Sequence, residues 1–384
     1  MSIRQHNLGS IVKPGFNPLG AQTSVTTYQP YLYGWGKNAQ GQLGIGSTVD
    51  KSSPNQVGSL SDWQQVSAAP YQTLATKTDG TLWSWGSNYL GALGLGNTTY
   101  YSSPKQVGAL TNWLFAAAGQ YSSGFCIKTD GTLWSWGQNQ QGQLGLGNIT
   151  TYSSPKQVGS LTDWSKISTG NYFVVAIKTN GTMWSWGLNN FGQLGLGNTT
   201  TYSSPKQIGA LTTWSVISAA GVGTWCMALK TDGTLWSWGD NTYGGLGLGN
   251  TTNYSSPKQI GALTTWSTPA AGQYWGMAVT TSGALWSWGY NISGQLGLGN
   301  TTNYSSPKQI GSLTTWSKVA ATFRTGYAIK TDGTLWDWGY NSYGELGNGT
   351  AGSPTHTSSP GQVGSLTTWL SISAGYTRAA ALLY

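Results

Sequence analysis

Acidic side chains are nearly missing from this sequence. Of 384 residues only 10 are Asp or Glu, and glutamate occurs once, as Glu345. Charged residues of both signs together reach 7%, against roughly 25% in ordinary domains. Helix-favouring Glu, Lys and Arg are therefore scarce, while Gly, Thr, Ser, Asn and aromatics favour strands and turns, so the chain reads as all-β. Histidine is just as rare, with His6 and His356 standing alone. No Ser-His-Asp, Cys-His or metal-ligand grouping can be assembled from two stray histidines, so the chain is read as no enzyme, without metal or cofactor. Cys126 and Cys226 lie one hundred residues apart, which fits neither a disulfide scaffold nor a metal site. No stretch is apolar enough to span a membrane, and the first thirty residues hold no run of signal-peptide length. The expectation is a soluble chain, without membrane insertion or a Sec-type export signal.

What the sequence does contain is one unit, repeated. A Trp-Gly step recurs at Trp35, Trp85, Trp136, Trp186, Trp238, Trp288 and Trp338, and a second tryptophan series runs from Trp63 to Trp369. Seven units with a period near fifty predict a propeller or a solenoid. The unit that starts at Trp164 breaks into four β-prone runs: A "SKIST", B "FVVAIKT", C "TMWSWG" and D near "SPKQIG". Between B and C stands Asn180-Gly181, or Asp-Gly in most other units, a strong hairpin signal. Four antiparallel strands per unit make a propeller blade. The first copy begins in strand C (Tyr31 to Gly36) and the last stops in strand B (Ala379 to Tyr384), so the two ends complete one blade. A closed ring leaves no free edge. The predicted organisation is an N-terminal arm, 1–30, and a seven-bladed propeller, 31–384, closed by pairing of the terminal strands.

The residues "KTDGTLW" and "WSWGxNxxGQLGLGNxTxxSSPKQVG" resemble the repeat of the regulator of chromosome condensation family over residues 31–384. The resemblance implies a seven-bladed propeller acting as an interaction scaffold. The family's founding member is an exchange factor for a small GTPase and binds chromatin, and a plant relative senses ultraviolet light through tryptophans. Here the histidine usual in the family's A–B region is missing from every unit, and the Gly-Trp-Arg-His-Thr signature of the light sensor is absent. The resemblance carries over the scaffold and neither specialised activity.

Repeat position also sorts the few charged groups. Asp79, Asp130, Asp232 and Asp332 occupy the B–C turns, where Asp supports the local conformation. Asp337 in "WDWG" and Glu345 form the one arguable carboxylate pair, read here as a solvated substitution. Net charge is +8, but ten of the 18 basic residues fall at repeat positions, five in "SPKQ" and five before the B–C turn. Charge spread around a ring forms no phosphate-binding patch, so nucleic acid is not expected; those lysines are read as keeping a poorly charged surface soluble.

Positions shared by all units serve the fold, whereas positions that differ are free to serve something else. Two strips differ: the A–B connections and the loops leaving strand C. In a four-stranded meander both emerge on the same face. That face supplies the binding candidates Tyr89, Phe191, Trp225, Tyr243, Tyr274, Trp275, Arg324 and Tyr343. Trp134 and Trp136 are two apart in strand C, so both point to one side of the blade, towards a neighbour.

Near-identical repeats and an almost uncharged Gly/Thr/Ser/Asn/Trp/Tyr surface also resemble bacteriophage virion proteins. The leading expectation is a non-enzymatic virion component, a decoration or tail-associated propeller. Residues 1–30 and the termini face would anchor it to other virion proteins, leaving the aromatic face for a host-surface glycan or protein. The alternatives are an intracellular, cytoplasmic scaffold of the chromosome-condensation regulator type, binding a small GTPase or chromatin, and a soluble lectin.

Overall fold

Five of the B–C turns are clasped by an Asp or Asn side chain. The Asp130 carboxylate accepts from the Thr132 backbone N–H at 2.9 Å and from the Thr132 hydroxyl at 2.6 Å, and that hydroxyl accepts the Trp134 indole N–H at 2.9 Å. Asn180 does the same for Thr182 and Trp184 in the next unit. Gly131 completes the turn at φ +77°, where an added Cβ would fall 2.1 Å from the Thr162 carbonyl. The turn reverses the chain, and strand C pairs antiparallel with strand B.

The computed structural model describes residues 29–352 and 354–384. The arm assigned to residues 1–30 lies, but for its last two residues, outside them. The described residues form seven four-stranded antiparallel sheets. Blade 4 is typical, with strands A (Trp164–Thr169), B (Phe173–Lys178), C (Met183–Gly187) and D (Tyr202–Gln207) in that order. Blades are numbered here from the one shared by the two ends. In blade 1, strand C (Tyr31–Gly36) pairs with strand B (Arg378–Leu383), setting Tyr31 opposite Leu383 and Gly36 opposite Arg378. Among the described residues the one helical element is a 3-10 turn at Tyr89–Gly91.

The core lies between blades rather than within one. Trp136 is buried with Leu74, Leu82 and Val107 of the preceding blade and with Trp113 and Cys126 of its own. On the other side of the same strand, Leu133 packs with Trp164 and Trp186 of the following blade. The alternation of strand C thus joins three blades. The Trp136 indole N–H donates to the Ala92 carbonyl at 2.9 Å, in the preceding blade's C–D loop. All seven Trp-Gly tryptophans donate to this position of the preceding blade, at 2.8–3.1 Å. The loop has to pass close under the ring: a Cβ on Gly94 would sit 2.9 Å from the Trp136 nitrogen.

The lysines before the B–C turns are not a solubilising fringe. Lys77, Lys128 and Lys178 are buried. The Lys128 ammonium lies 4.7 Å from the Trp113 ring and 4.0 Å from Trp134, and Lys178 lies 5.0 and 4.5 Å from Trp164 and Trp184. A cation between two aromatic faces exchanges water for quadrupole attraction. Lys77 and Lys178 also pair with Asp62 and Asp163, at 3.1 and 3.3 Å.

Strands A line the axis with small residues, including Ser67, Ser168, Ala270 and Ser373, around a cavity of about 240 Å³. Serine hydroxyls there accept the next blade's backbone N–H groups, as Ser67 does from Ala118 and Ser168 from Ala219, both at 2.9 Å.

Candidate functional site

Antiparallel alternation brings the A–B and C–D loops to one face, and all seven blades place aromatic rings there. The rings stand in groups. Tyr121 stacks on Tyr172 with centroids 4.4 Å apart and planes 12° from parallel. Tyr243 lies 5.0 Å from Tyr274 and 4.6 Å from Tyr290. Phe323 lies 4.4 Å from Tyr376. The Arg324 guanidinium sits 4.5 Å over Phe323 and 5.5 Å from Tyr290, and the Lys37 ammonium lies 4.5 Å over Tyr343. Of the sequence candidates, Tyr89 (57% exposed), Phe191 and Tyr243 are exposed. Tyr274, Arg324 and Tyr343 are half-buried.

Trp225 and Trp275 do not belong to this surface: both are 0% exposed. Each opens its strand B, and the side chain turns into the junction with the following blade. A buried indole N–H usually finds a partner, and here both do. Trp225 donates to the Gly272 and Gln273 carbonyls at 3.0 Å, and Trp275 to those of Thr322 and Phe323 at 3.2 Å. The same position carries Gln72 in blade 2, which donates to the Ser123 carbonyl at 2.7 Å. In blade 1 it carries Arg378, which donates to the carbonyls of Ala69, Gln42 and Gln72 at 2.9, 3.1 and 2.6 Å. Four blades use this position to reach carbonyls across the junction, whereas Phe173 of blade 4 fills it with an apolar ring.

The expectation of a solvated Asp337 and Glu345 is also corrected, since they are 3% and 0% exposed. Asp337 occupies the place of the buried serines Ser135 and Ser185, and Glu345 that of the glutamines Gln143 and Gln193. Asp337 pairs across strands with Tyr327, whose hydroxyl donates to the Glu345 carbonyl at 2.8 Å. One Glu345 oxygen accepts the Tyr343 N–H at 2.8 Å, but Glu345 Oε1 and Asp337 Oδ2 have no partner. Burial pushes the Asp337 carboxyl well above the usual carboxylate range and the Glu345 carboxyl up to about 7. Burial, with these two carboxyls close by, also raises the Tyr327 phenol. Both acids are sealed into the junction between blades 7 and 1, away from any surface.

Sequence reasoning passed over Tyr376, which faces the axis with Tyr71 and Tyr121. Its signal was alignment with blade 3, because, counted back from strand B, Gly375-Tyr376 stands where Gln120-Tyr121 stands. It also missed one exposed leucine per blade on the opposite face, from Leu60 to Leu366. Among the described residues no helix is long and apolar enough to cross a membrane.

Among solved structures, the chain is similar to Prp20p from Saccharomyces cerevisiae, with a TM-score of 0.81 at 19% identity over 93% of this chain and 92% of that one. It is similar to human WBSCR16 with a TM-score of 0.82 at 20% identity, covering 93% and 99%. At these identities the likeness is one of fold. Among curated proteins, it is 29% identical over 236 residues to the ultraviolet-B receptor UVR8 of Arabidopsis thaliana, covering 61% of this chain and 42% of the receptor. Over 140 residues it is 29% identical to the human E3 ubiquitin-protein ligase HERC2, covering 36% of this chain and 3% of the ligase. The chain thus spans well under half the length of the curated relatives it matches. The regulator of chromosome condensation (RCC1) repeat matches at 31–76, 79–126, 130–177, 180–229, 232–279, 282–322 and 332–382, one match per fifty-residue unit, and the chain belongs to that repeat family.

Proposed function

We propose that this chain is a non-enzymatic interaction propeller that receives a protein partner on its A–B and C–D face. The observation that carries the reading is the gathering of exposed and half-buried rings from all seven blades on that face, with Arg324 laid over them. Protein interfaces are enriched in aromatics and Arg and depleted in Lys and Glu. Tyr89, Phe191, Tyr243, Tyr274, Arg324 and Tyr343 are the proposed contacts. The family supports an intracellular scaffold of the chromosome-condensation regulator type. The yeast relative Prp20p is described with binding to Gsp1p and histones, and yeast RCC1 is described bound to Kap60. With so few charges in this chain, a GTPase-like protein surface fits the face better than a strongly basic histone tail or DNA.

A second reading, a virion decoration or tail-associated component, is supported by the near-identical repeats and low charge. In it residues 1–30 serve as the anchor to other virion proteins. A photo-crosslinking residue at position 89, compared with one at position 105 on the outer strand, tests the face. One dominant adduct from position 89 is expected, a GTPase for the first reading and a particle protein for the second. Adducts from position 105 alone would place recognition elsewhere.

A further inference from the structure

The geometry points to a binding cup for one uncharged sugar ring where the A–B loops converge on the propeller axis. Pro70, Tyr71, Tyr121, Val222, Gln273 and Tyr376, from five different blades, line a cavity of about 170 Å³. Sites for drug-sized ligands run from roughly 300 Å³ upwards, so the cup has room for a single ring. This inference goes beyond the proposed function by naming a ligand class, and it rests on that reading only in using the same face.

Three features favour a sugar. First, the walls are aromatic faces already held in place. Tyr121, 38% exposed, is backed by Tyr172, and Tyr376 is backed by Phe323. Rings fixed before binding lose little freedom when a ligand's C–H face stacks on them. Second, the lining holds no charged side chain, and Arg324 stays outside it, laid over Phe323. A neutral lining offers an anion nothing, whereas tyrosine hydroxyls and the Gln273 amide supply donors and acceptors for several ligand hydroxyls. Third, the loops flanking Tyr121 are strained. Ser122 and Tyr172 adopt φ of +50° and +60°, although neither is glycine. Left-handed non-glycine residues are strained and gather at ligand clamps. In a chain with 57 glycines, side chains retained at such positions are there for what they touch. A proline-rich peptide would need an extended aromatic groove. The six lining residues frame about 170 Å³ and offer no such groove.

The test titrates the full chain with methyl glycosides of glucose, galactose, mannose and N-acetylglucosamine, followed by saturation-transfer NMR. N-acetylneuraminic acid, inorganic phosphate and a polyproline peptide serve as comparators. Saturable binding of at least one neutral glycoside is expected, with a Kd on the order of millimolar, as a single ring supplies only a few contacts. Tyr121→Ala should weaken it at least tenfold and Tyr121→Phe only two- to threefold, with thermal melting unchanged in both, while Tyr89→Ala leaves it intact. No binding by any neutral glycoside, binding insensitive to Tyr121→Ala, or preference for a comparator overturns the proposal. Loss of the sugar result beside an intact adduct from position 89 removes the cup alone and leaves the protein-binding face standing.

Discussion

Burying an indole leaves one N–H to satisfy, and Trp225 meets this by reaching across to two carbonyls of the following blade. Removing that ring takes away both packing and the bonds between blades. Trp225→Ala is expected to lower stability by about 3–5 kcal/mol, measured by urea unfolding, whereas Tyr89→Ala on the open face should stay within about 0.5 kcal/mol. Glu345 makes a different prediction. Its carboxyl rises from an ordinary value of 4.5 to about 7 on folding, so the folded state holds the proton more tightly than the unfolded chain. The resulting stability is complete below pH 4.5 and drains away as pH climbs towards 7. Asp337, whose carboxyl burial also raises, adds a decline of the same sign. Glu345→Gln installs the residue that Gln143 and Gln193 provide in blades 3 and 4. It should flatten the melting profile between pH 4.5 and 7 and raise neutral-pH stability by on the order of 3 kcal/mol. A variant that follows the parent's pH profile would show that Glu345 titrates normally.

At the level of the strand, the Asp or Asn turn that precedes strand C in five blades is self-contained, so damage there stays local. Asp130→Ala frees the Thr132 N–H and hydroxyl and should cost about 1 kcal/mol by thermal melting. A loss above 3 kcal/mol would mean that the clasp governs the whole blade. The strands and their order were legible because the alternating aromatics of strand C came seven times, five of them after an Asp-Gly or Asn-Gly step. The first residue of strand B was not. Its variation among Gln72, Phe173, Trp225 and Arg378 reads as freedom at an exposed loop, yet the site is buried. An amide, an indole or a guanidinium there reaches backbone carbonyls of the next blade, while Phe173 fills the same space by packing alone. The lysine sandwich was hidden for a related reason. Lys128 meets Trp113 and Trp134 only through the register of three strands, and no local pattern reveals that. Asp337 and Glu345 were misplaced because charge was taken as a sign of solvent; the repeat itself, which has Ser and Gln in the buried places, held the correction.

The molecule as a whole depends on one join. Strand B of blade 1 comes from the last residues and strand C from the first, with Tyr31 opposite Leu383. A chain ending at Tyr376 lacks that strand B and should lose its single cooperative melt. A circular permutant linking Tyr384 to Tyr31 and opened between Gly108 and Ala109, both exposed, should melt close to the parent temperature, since every strand keeps its partners. A permutant that fails to fold would mean that order of synthesis, not the finished pairing, decides the structure. That order has a cost in time. Leu32 and Trp35 are among the first propeller residues to leave the ribosome, and the strand that covers them, Arg378–Leu383, is nearly the last. At roughly 5–20 residues per second, the wait is roughly 20–70 seconds. Throughout it blade 1 stays half-finished while the other six blades are made, and the strand of a neighbouring nascent chain would fit as well as the chain's own. How crowded the transcript is with ribosomes therefore bears on how many rings close on themselves.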